Sequence, residues 1–225
     1  MKYLKFILLF NLILSFSAFA LLEVNILKSK ETAFPIVIAP FEVIGNSKEN
    51  IDIAKIIRDN LNRSGQFSAL STDALVTNQI DFNFWKEHKK DAVVFGKVEQ
   101  ISPKVYNIYI YIYDVYSEKS LYQKKITVSN TGFRRMAHFL SDKIYYVLLG
   151  QKGSFNTRLS YVTVTENNGG GRTYRLQISD SDGENPQTIV RQSNPILSPA
   201  WSKDQKKLAY VSFKNNRSEV FVMTP

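Results

Sequence analysis

The chain has 225 residues, contains no cysteine and carries a formal net charge of +9. It is long enough for one large domain or two small ones, and the lack of cysteine excludes disulfide bonds and thiolate metal sites. Lysine and arginine are spread along the chain instead of forming a basic stripe with aromatic residues, so the charge does not indicate nucleic-acid binding.

The start of the chain has the pattern of a secretory signal peptide. Lys2 and Lys5 precede an apolar stretch over residues 6–16, and Ala18 and Ala20 form an Ala-x-Ala cleavage site. The apolar stretch is shorter than the ~20 residues that a membrane-spanning helix needs. We therefore expect cleavage after Ala20 and a mature protein in the periplasm.

Residues 21–32 are predicted to form an N-terminal arm with strand potential. Leu22, Val24 and Ile26 alternate with polar residues such as Glu23 before the segment becomes wholly polar. Terminal segments lack fixed structure unless something holds them, and an alternating segment can add a strand to the sheet of a partner. The arm is therefore a predicted binding element.

The next segments predict an α/β unit. A continuous apolar run over residues 34–41 is typical of a strand buried on both faces. Apolar residues at helical spacing over residues 51–64, followed directly by Gly65, predict a helix and its end. The sequence then predicts a short strand over residues 66–70, a short helix over 81–90 and a second buried strand over 92–98.

Two more strands and a long helix complete this unit. Residues 105–113 alternate between two faces of a strand. The mainly aliphatic face is expected to pack on helices, and the tyrosine face is expected to be partly exposed to solvent. The first face holds Tyr106, Ile108, Ile110 and Ile112, and the second holds Tyr109, Tyr111 and Tyr113. Residues 121–129 predict another strand, and residues 132–149 predict a helix with Thr131 as its N-cap and Gly150 at its end. We expect a mixed sheet with helices mainly on one side.

Beyond residue 155 the helical pattern gives way to short strands and turns that repeat. Residues 158–162 read RLSYV and residues 207–211 read KLAYV, each followed by a polar loop and a second apolar run. Such a repeat is typical of a β-propeller blade. Residues 152–225 hold fewer than two blades of ~40–45 residues, so we expect the first, incomplete part of a propeller, from a fragment or a truncated gene product.

An incomplete propeller has consequences for stability. Its apolar edges, expected at residues 208–213 and 220–223, would pair with other chains. We therefore expect residues 155–225 to be loosely folded or prone to aggregate in isolation.

The sequence shows no evident constellation for catalysis or metal binding. His88 and His138 have no evident serine or carboxylate partner, and His138 is placed next to the buried stripe of its helix. Residues 180–183, Asp-Ser-Asp-Gly, resemble the start of a calcium loop, but glycine is fourth instead of sixth and Arg191 replaces the acidic twelfth residue. We interpret this segment as a turn, and we expect no catalytic residue, cofactor or metal.

Several short motifs occur in a specific order. They are LEVNI at residues 22–26, APF at 39–41, RSGQF at 63–67, FGKV at 95–98, GSFNTR at 153–158, DGENPQT at 182–188 and ILSPAWS at 196–202. Together they resemble the TolB family, the periplasmic components of the Tol–Pal system. The resemblance covers the whole predicted mature chain, although Lys203 and Gln205 stand where the family usually has proline and glycine.

The resemblance implies a non-enzymatic adaptor with an N-terminal α/β domain and a six-bladed propeller. In such proteins the propeller binds the lipoprotein Pal and the arm binds the inner-membrane protein TolA, which supports outer-membrane invagination during cell division and outer-membrane integrity. The implied TolA-binding residues are Leu22, Glu23, Val24 and Ile26. The alternative is a propeller-associated periplasmic hydrolase or peptidase fragment, which would need a nucleophile motif such as G-x-S-x-G, absent here.

The expected organisation follows from these segments. It comprises a signal peptide at residues 1–20, the arm at 21–32, a mixed α/β domain at 33–151 and the partial propeller at 152–225.

Overall fold

The computed structural model describes residues 33–45, 52–73, 76 and 79–225. The strands are β1 (Phe34–Ile38), β2 (Glu42–Ile44), β3 (Phe67–Leu70), β4 (Ala92–Ser102), β5 (Val105–Asp114), β6 (Ser120–Ser129), β7 (Arg158–Glu166), β8 (Arg172–Asp180), β9 (Gln187–Gln192), β10 (Ile196–Trp201), β11 (Leu208–Ser212) and β12 (Glu219–Met223). The helices are α1 (Ile53–Arg63), α2 (Phe82–Glu87) and α3 (Phe133–Leu149). The predicted fold class, a mixed α/β domain followed by part of a β-propeller, is confirmed.

The α/β domain is built on a six-stranded mixed sheet. Its main path runs β3-β1-β4-β5-β6. Strand β1, between β3 and β4, is parallel to both of its neighbours, and β5 and β6 continue the sheet antiparallel. The short strand β2, which was not predicted, pairs parallel with β4 and places Val43 opposite Val98.

The predicted alternation of β5 is confirmed. Ile108, Ile110 and Ile112 are fully buried and share one core with α1 and α3. On the opposite face the tyrosines are half-buried, and Tyr111 stacks on Phe95 at 5.0 Å between ring centroids. The two helices therefore cover one face of the sheet, while the shorter α2 covers part of the other.

Helix α1 begins and ends where its sequence indicates. The side chain of Asp52 accepts a hydrogen bond from the backbone N–H of Lys55 at 2.9 Å, which caps the first turn. Gly65 has a φ of 69° just beyond the last turn, a conformation that favours glycine. The apolar face between these ends is buried in the core.

The predicted N-cap of α3 is wrong. A 3₁₀ turn over Asn130–Gly132 leads into the helix, so Gly132 is the N-cap and makes no side-chain capping bond. The hydroxyl of Thr131 lies 3.1 Å from the hydroxyl of Ser129 instead. The predicted end of the helix is confirmed, because Gly150 adopts a left-handed conformation with a φ of 69°.

Residues 158–223 form two three-stranded antiparallel sheets, β7-β8-β9 and β10-β11-β12. A complete blade has four strands, and each of these sheets has three within the described residues. The sheets share a small apolar core that includes Leu176, Ile196 and Leu208. The guanidinium of Arg158 links them, since it lies 4.5 Å from the Trp201 ring centroid and donates to the carbonyl oxygen of Gln205 at 3.1 Å.

One of the two segments predicted to form exposed apolar edges lies at the edge of its sheet, and the other does not. Strand β11 lies in the middle of its sheet and Leu208 is fully buried, so the expectation of an edge there is wrong. Strand β12 is an edge strand of this sheet, with Val220 and Val222 more than half exposed. Loose folding of residues 155–225 in isolation stays a prediction, and it now rests on β12 alone.

The turn before β11 carries a strained residue. Gln205 has a φ of 58°, in a region that disfavours residues with a side chain. We expect Gln205→Gly to raise the free energy of unfolding by about 1 kcal/mol, measured as the urea midpoint by circular dichroism. Lys206→Gly is the matched control, and it should slightly destabilise the chain because it only adds freedom to the unfolded state. Equal urea midpoints for the two variants would contradict backbone strain at Gln205.

Candidate functional site

The site residues inferred from the sequence lie outside the described residues. These are the arm residues Leu22, Glu23, Val24 and Ile26 and the cleavage-site residues Ala18 and Ala20. Within the described ranges, a network of polar side chains joins the α/β domain to the first blade. We call this region the junction, formed by α3, residues 153–156 and the β8–β9 turn at residues 180–183.

One part of the junction is a carboxylate that binds the linker. Asp142 on α3 accepts hydrogen bonds from the backbone N–H groups of Phe155 at 2.8 Å and Asn156 at 3.1 Å. The Ser181 hydroxyl in the β8–β9 turn donates to the carbonyl oxygen of Phe155 at 2.5 Å. The Phe155 ring is buried in the α/β core. The linker is thereby held by the helix on one side and by the blade on the other.

A second part is an arginine that bridges two aspartates. The Nε of Arg134 on α3 donates to Asp180 at 2.9 Å, and its terminal nitrogen donates to Asp182. Partial burial alone would raise the pKa of Asp182, but the hydrogen bond from Arg134 holds that pKa below its usual value. The guanidinium thus pairs with both carboxylates of the turn and ties the first blade to α3.

A third part is a buried histidine. His138, one turn after Arg134 on α3, is 2 % exposed and therefore lies within the buried face instead of next to it. Its Nδ1 lies 2.9 Å from the amide nitrogen of Asn60 on α1. Its Nε2 lies 3.6 Å from Asp182 and 3.9 Å from Asp180. Within the described residues this Nε2 is buried without a hydrogen-bond partner.

The surrounding network fixes the tautomer of His138. The hydroxyl of Ser141 donates to the carbonyl oxygen of Ala137 at 2.8 Å, so it accepts from the Asn60 amide nitrogen at 2.9 Å. The amide oxygen of Asn60 accepts from Arg63 at 2.8 Å. Because both ends of this amide are assigned, its nitrogen donates to Nδ1 of His138, and Nε2 carries the proton of the neutral ring.

Three atoms of the junction are close enough to suggest a metal ion. One atom each of His138, Asp180 and Asp182 lies within 4.8 Å of the others. A metal needs a free lone pair on the histidine nitrogen, whereas Nε2 carries a proton here. Arg134 also supplies the positive charge to both carboxylates. The donor set therefore does not fit a cation.

The same geometry argues against a serine–histidine catalytic pair at the junction. The hydroxyl of Ser141 is fully buried and its proton is used by the backbone of its own helix. A nucleophile must be exposed to substrate and hydrogen-bonded to its base. Ser141 meets neither condition.

Sequence reasoning missed the junction but interpreted its turn correctly. The Asp-Ser-Asp-Gly segment is a turn between β8 and β9, and Gly183 adopts a φ of 88°. The helical spacing of Arg134, His138 and Ser141 was the one available indication of a polar face on α3. Its partners in the blade are more than forty residues away and leave no local pattern.

None of the helices formed by the described residues combines the length and apolarity that crossing a membrane requires.

Two family models match the chain in succession. Residues 22–121 match the TolB amino-terminal domain, and residues 145–224 match the TolB beta propeller domain. The two matches are in the same order as the α/β domain and the blades.

Individual proteins give the same relationship. The Tol-Pal system protein TolB of Ruthia magnifica subsp. Calyptogena magnifica is 57% identical over 208 residues, covering 92% of this chain and 49% of that protein. The protein of that name from Nitrosococcus oceani is 40% identical over 216 residues, covering 94% of this chain and 50% of that protein. The chain spans about half the length of the curated relatives it matches.

A solved structure extends the relationship to the fold. The crystal structure of TolB from Acinetobacter baumannii matches with a TM-score of 0.75 and 34% identity, over 85% of this chain and 47% of that one.

Proposed function

The chain belongs to the TolB family, and we propose that it acts as a periplasmic adaptor of the Tol–Pal system that links TolA of the inner membrane to Pal of the outer membrane. In this proposal the protein supports outer-membrane invagination during division and outer-membrane integrity. It has no enzymatic activity and no cofactor, and it meets membranes only through its partners.

The observation that carries the proposal is the succession of the two domain matches on the corresponding fold. The TolB amino-terminal match lies on the α/β domain and the propeller match on the blades. We propose that the two units divide at residues 151–152, just after Gly150 ends α3. We propose that the arm binds TolA and that the propeller binds Pal.

The geometry of the described residues supports a binding role over the hydrolase alternative. Apart from Nε2 of His138, the polar groups described at the junction bind one another or the backbone: Arg134 pairs with two carboxylates, and the Ser141 hydroxyl donates to its own helix. These contacts hold the two units together, and they leave the buried Ser141 without the exposure and the base that a nucleophile needs. The hydrolase alternative gains no specific support.

Affinity capture from solubilised cell envelopes tests the proposal. The mature chain from Leu21 and a variant that lacks residues 21–32 are used as baits, and TolA and Pal are detected with antibodies. We expect the mature chain to capture TolA and the shortened variant to lose it, while both keep the same circular dichroism spectrum. Capture of Pal by both baits would show that the blades present suffice for that partner.

The outcome that contradicts the proposal is equally clear. If neither bait captured TolA or Pal, the proposal that this chain acts as an adaptor would be contradicted. If both baits captured TolA equally, the proposal that residues 21–32 bind TolA would be contradicted.

A further inference from the structure

The main path of the α/β sheet ends differently on its two sides. On one side the four-residue strand β3 is covered by a side chain, because the Asn62 amide donates to the carbonyl oxygen of Ala69 at 2.9 Å and accepts from its N–H at 2.8 Å. On the other side lies β6, which has ten residues and pairs only with β5 among the strands of the described residues. Alternate N–H and C=O groups of β6 therefore point away from the sheet.

We propose that β6 is a docking edge for an extended, acidic segment of another protein, which adds to the sheet as a further strand. Strand addition of this kind takes its affinity from backbone hydrogen bonds and its specificity from alternate side chains. The docking edge belongs neither to the arm nor to the propeller. It therefore goes beyond the proposed adaptor function and does not depend on it.

The charge along this edge favours an acidic partner. Residues 119–141 contain no aspartate or glutamate. Four exposed lysines follow the edge, namely Lys104, Lys119, Lys124 and Lys125. Lys104 lies next to the end of β6, where its carbonyl oxygen accepts from the N–H of Asn130 at 3.0 Å. The salt bridges formed by the described residues involve none of these four lysines, so their charges remain available to a partner.

The same charge argues against a second copy of this chain as the partner. Lys124 and Lys125 are the two middle residues of β6. Antiparallel pairing of two β6 strands would therefore place these lysines opposite the same lysines of the other copy. Like charges opposite each other on paired strands are destabilising, and lysines on an edge strand discourage self-association in this way. Glutamate or aspartate at those positions of a partner would instead be attracted.

A cavity beside β6 can take apolar side chains of the docked strand. Its volume is about 390 Å³, and it lies between the end of β6 and α3, where Val128, Met136 and Phe139 supply apolar walls. Side chains of a strand alternate between two faces. A docked strand would therefore direct every second side chain to the α3 side of the sheet and the others to the opposite side, where Lys125 lies over the Tyr109 ring. The partner that fits alternates apolar and acidic residues.

Fluorescence anisotropy with a synthetic peptide tests the proposal. The probe is a capped octapeptide of alternating valine and glutamate that carries fluorescein, titrated with the mature chain at about 0.15 M ionic strength. We expect saturable binding, which is lost when lysine replaces each glutamate of the peptide. Lys124→Gln combined with Lys125→Gln should weaken binding about fivefold. Lys203→Gln combined with Lys206→Gln is the matched control, because it removes two exposed charges from the second blade and should leave binding unchanged.

Amide hydrogen exchange followed by NMR tests whether the peptide adds as a strand. The inward amides of β6 donate to β5, whereas the amides between them point outward. On saturation with the peptide we expect every second amide over residues 121–128 to gain protection, while the amides of β3 do not change. A peptide N-methylated throughout keeps its charge but lacks backbone donors. It should bind at least about tenfold more weakly than the parent peptide.

The proposal is overturned if the peptide does not bind, or if the two pairs of lysine substitutions weaken binding equally. It is also overturned if the N-methylated peptide binds as tightly as its parent, because the lysines would then form only a general surface for anions. Binding that appears only after residues 21–32 are removed would assign the edge to the arm of this chain and would overturn an external partner.

Discussion

Replacing Gly96 by alanine is expected to lower the free energy of unfolding of the α/β domain by about 3 kcal/mol. Gly96 lies on the central strand β4, where the Phe41 ring packs over it. An added Cβ would overlap both this ring and the carbonyl oxygen of Tyr109. The ring can shift, but the carbonyl belongs to the paired strand β5, so relief requires movement of the sheet itself.

The measurement uses the two tryptophans of the chain. Trp85 lies in a core of the α/β domain and Trp201 lies in the second blade. In a Trp201→Phe background, urea unfolding followed by fluorescence therefore reports the α/β domain alone. Gly169→Ala is the matched control, because a Cβ there meets nothing within 4 Å, and it should change stability by less than about 0.5 kcal/mol. Equal midpoints for the two variants would contradict the packing described at β4.

Arg134→Met is expected to destabilise the attachment of the first blade by about 2 kcal/mol. Methionine keeps much of the apolar stem and removes the charge, so Asp180 and Asp182 are left facing each other without a cation. Removal of one partner from a buried ion pair costs about 3–5 kcal/mol. The expected loss of stability is smaller here because the Arg134 side chain is 24% exposed and water screens its charge.

The effect should appear locally before it appears globally. We expect the amide protection of Phe155 to fall strongly in Arg134→Met, whereas protection at the centre of β5 falls less. Arg135→Met is the matched control, since Arg135 is the exposed neighbour on the same helix. Similar protection of Phe155 in both variants would show that the bridge from Arg134 does not hold the junction.

The parts of the fold that could be predicted are those with a local period. The alternation of Tyr106, Ile108, Ile110 and Ile112 identified both the strand and its buried face, because side chains of a strand alternate between two sides. The end of α3 followed from Gly150 for a similarly local reason. Strand β2 has only three residues, too few for a period to show.

The junction could not be predicted because its contacts are distant in sequence. Asn60 and His138 are separated by 78 residues, and Arg134 and Asp180 by 46. Sequence spacing places side chains on one face of one element, but it does not say which element will cover that face. The polar residues of α3 therefore have the sequence pattern of an ordinary solvent-facing helix side, although the first blade covers them.

The most direct test of the adaptor proposal is calorimetric titration of purified TolA into the mature chain and two arm variants. Val24→Asp and Asn25→Asp each add one negative charge, on opposite sides of the predicted alternation. We predict saturable binding by the unaltered chain and by Asn25→Asp, and a loss of at least about tenfold in affinity for Val24→Asp. Absence of binding by the unaltered chain, or equal affinity of the two variants, would contradict the assignment of TolA to this arm.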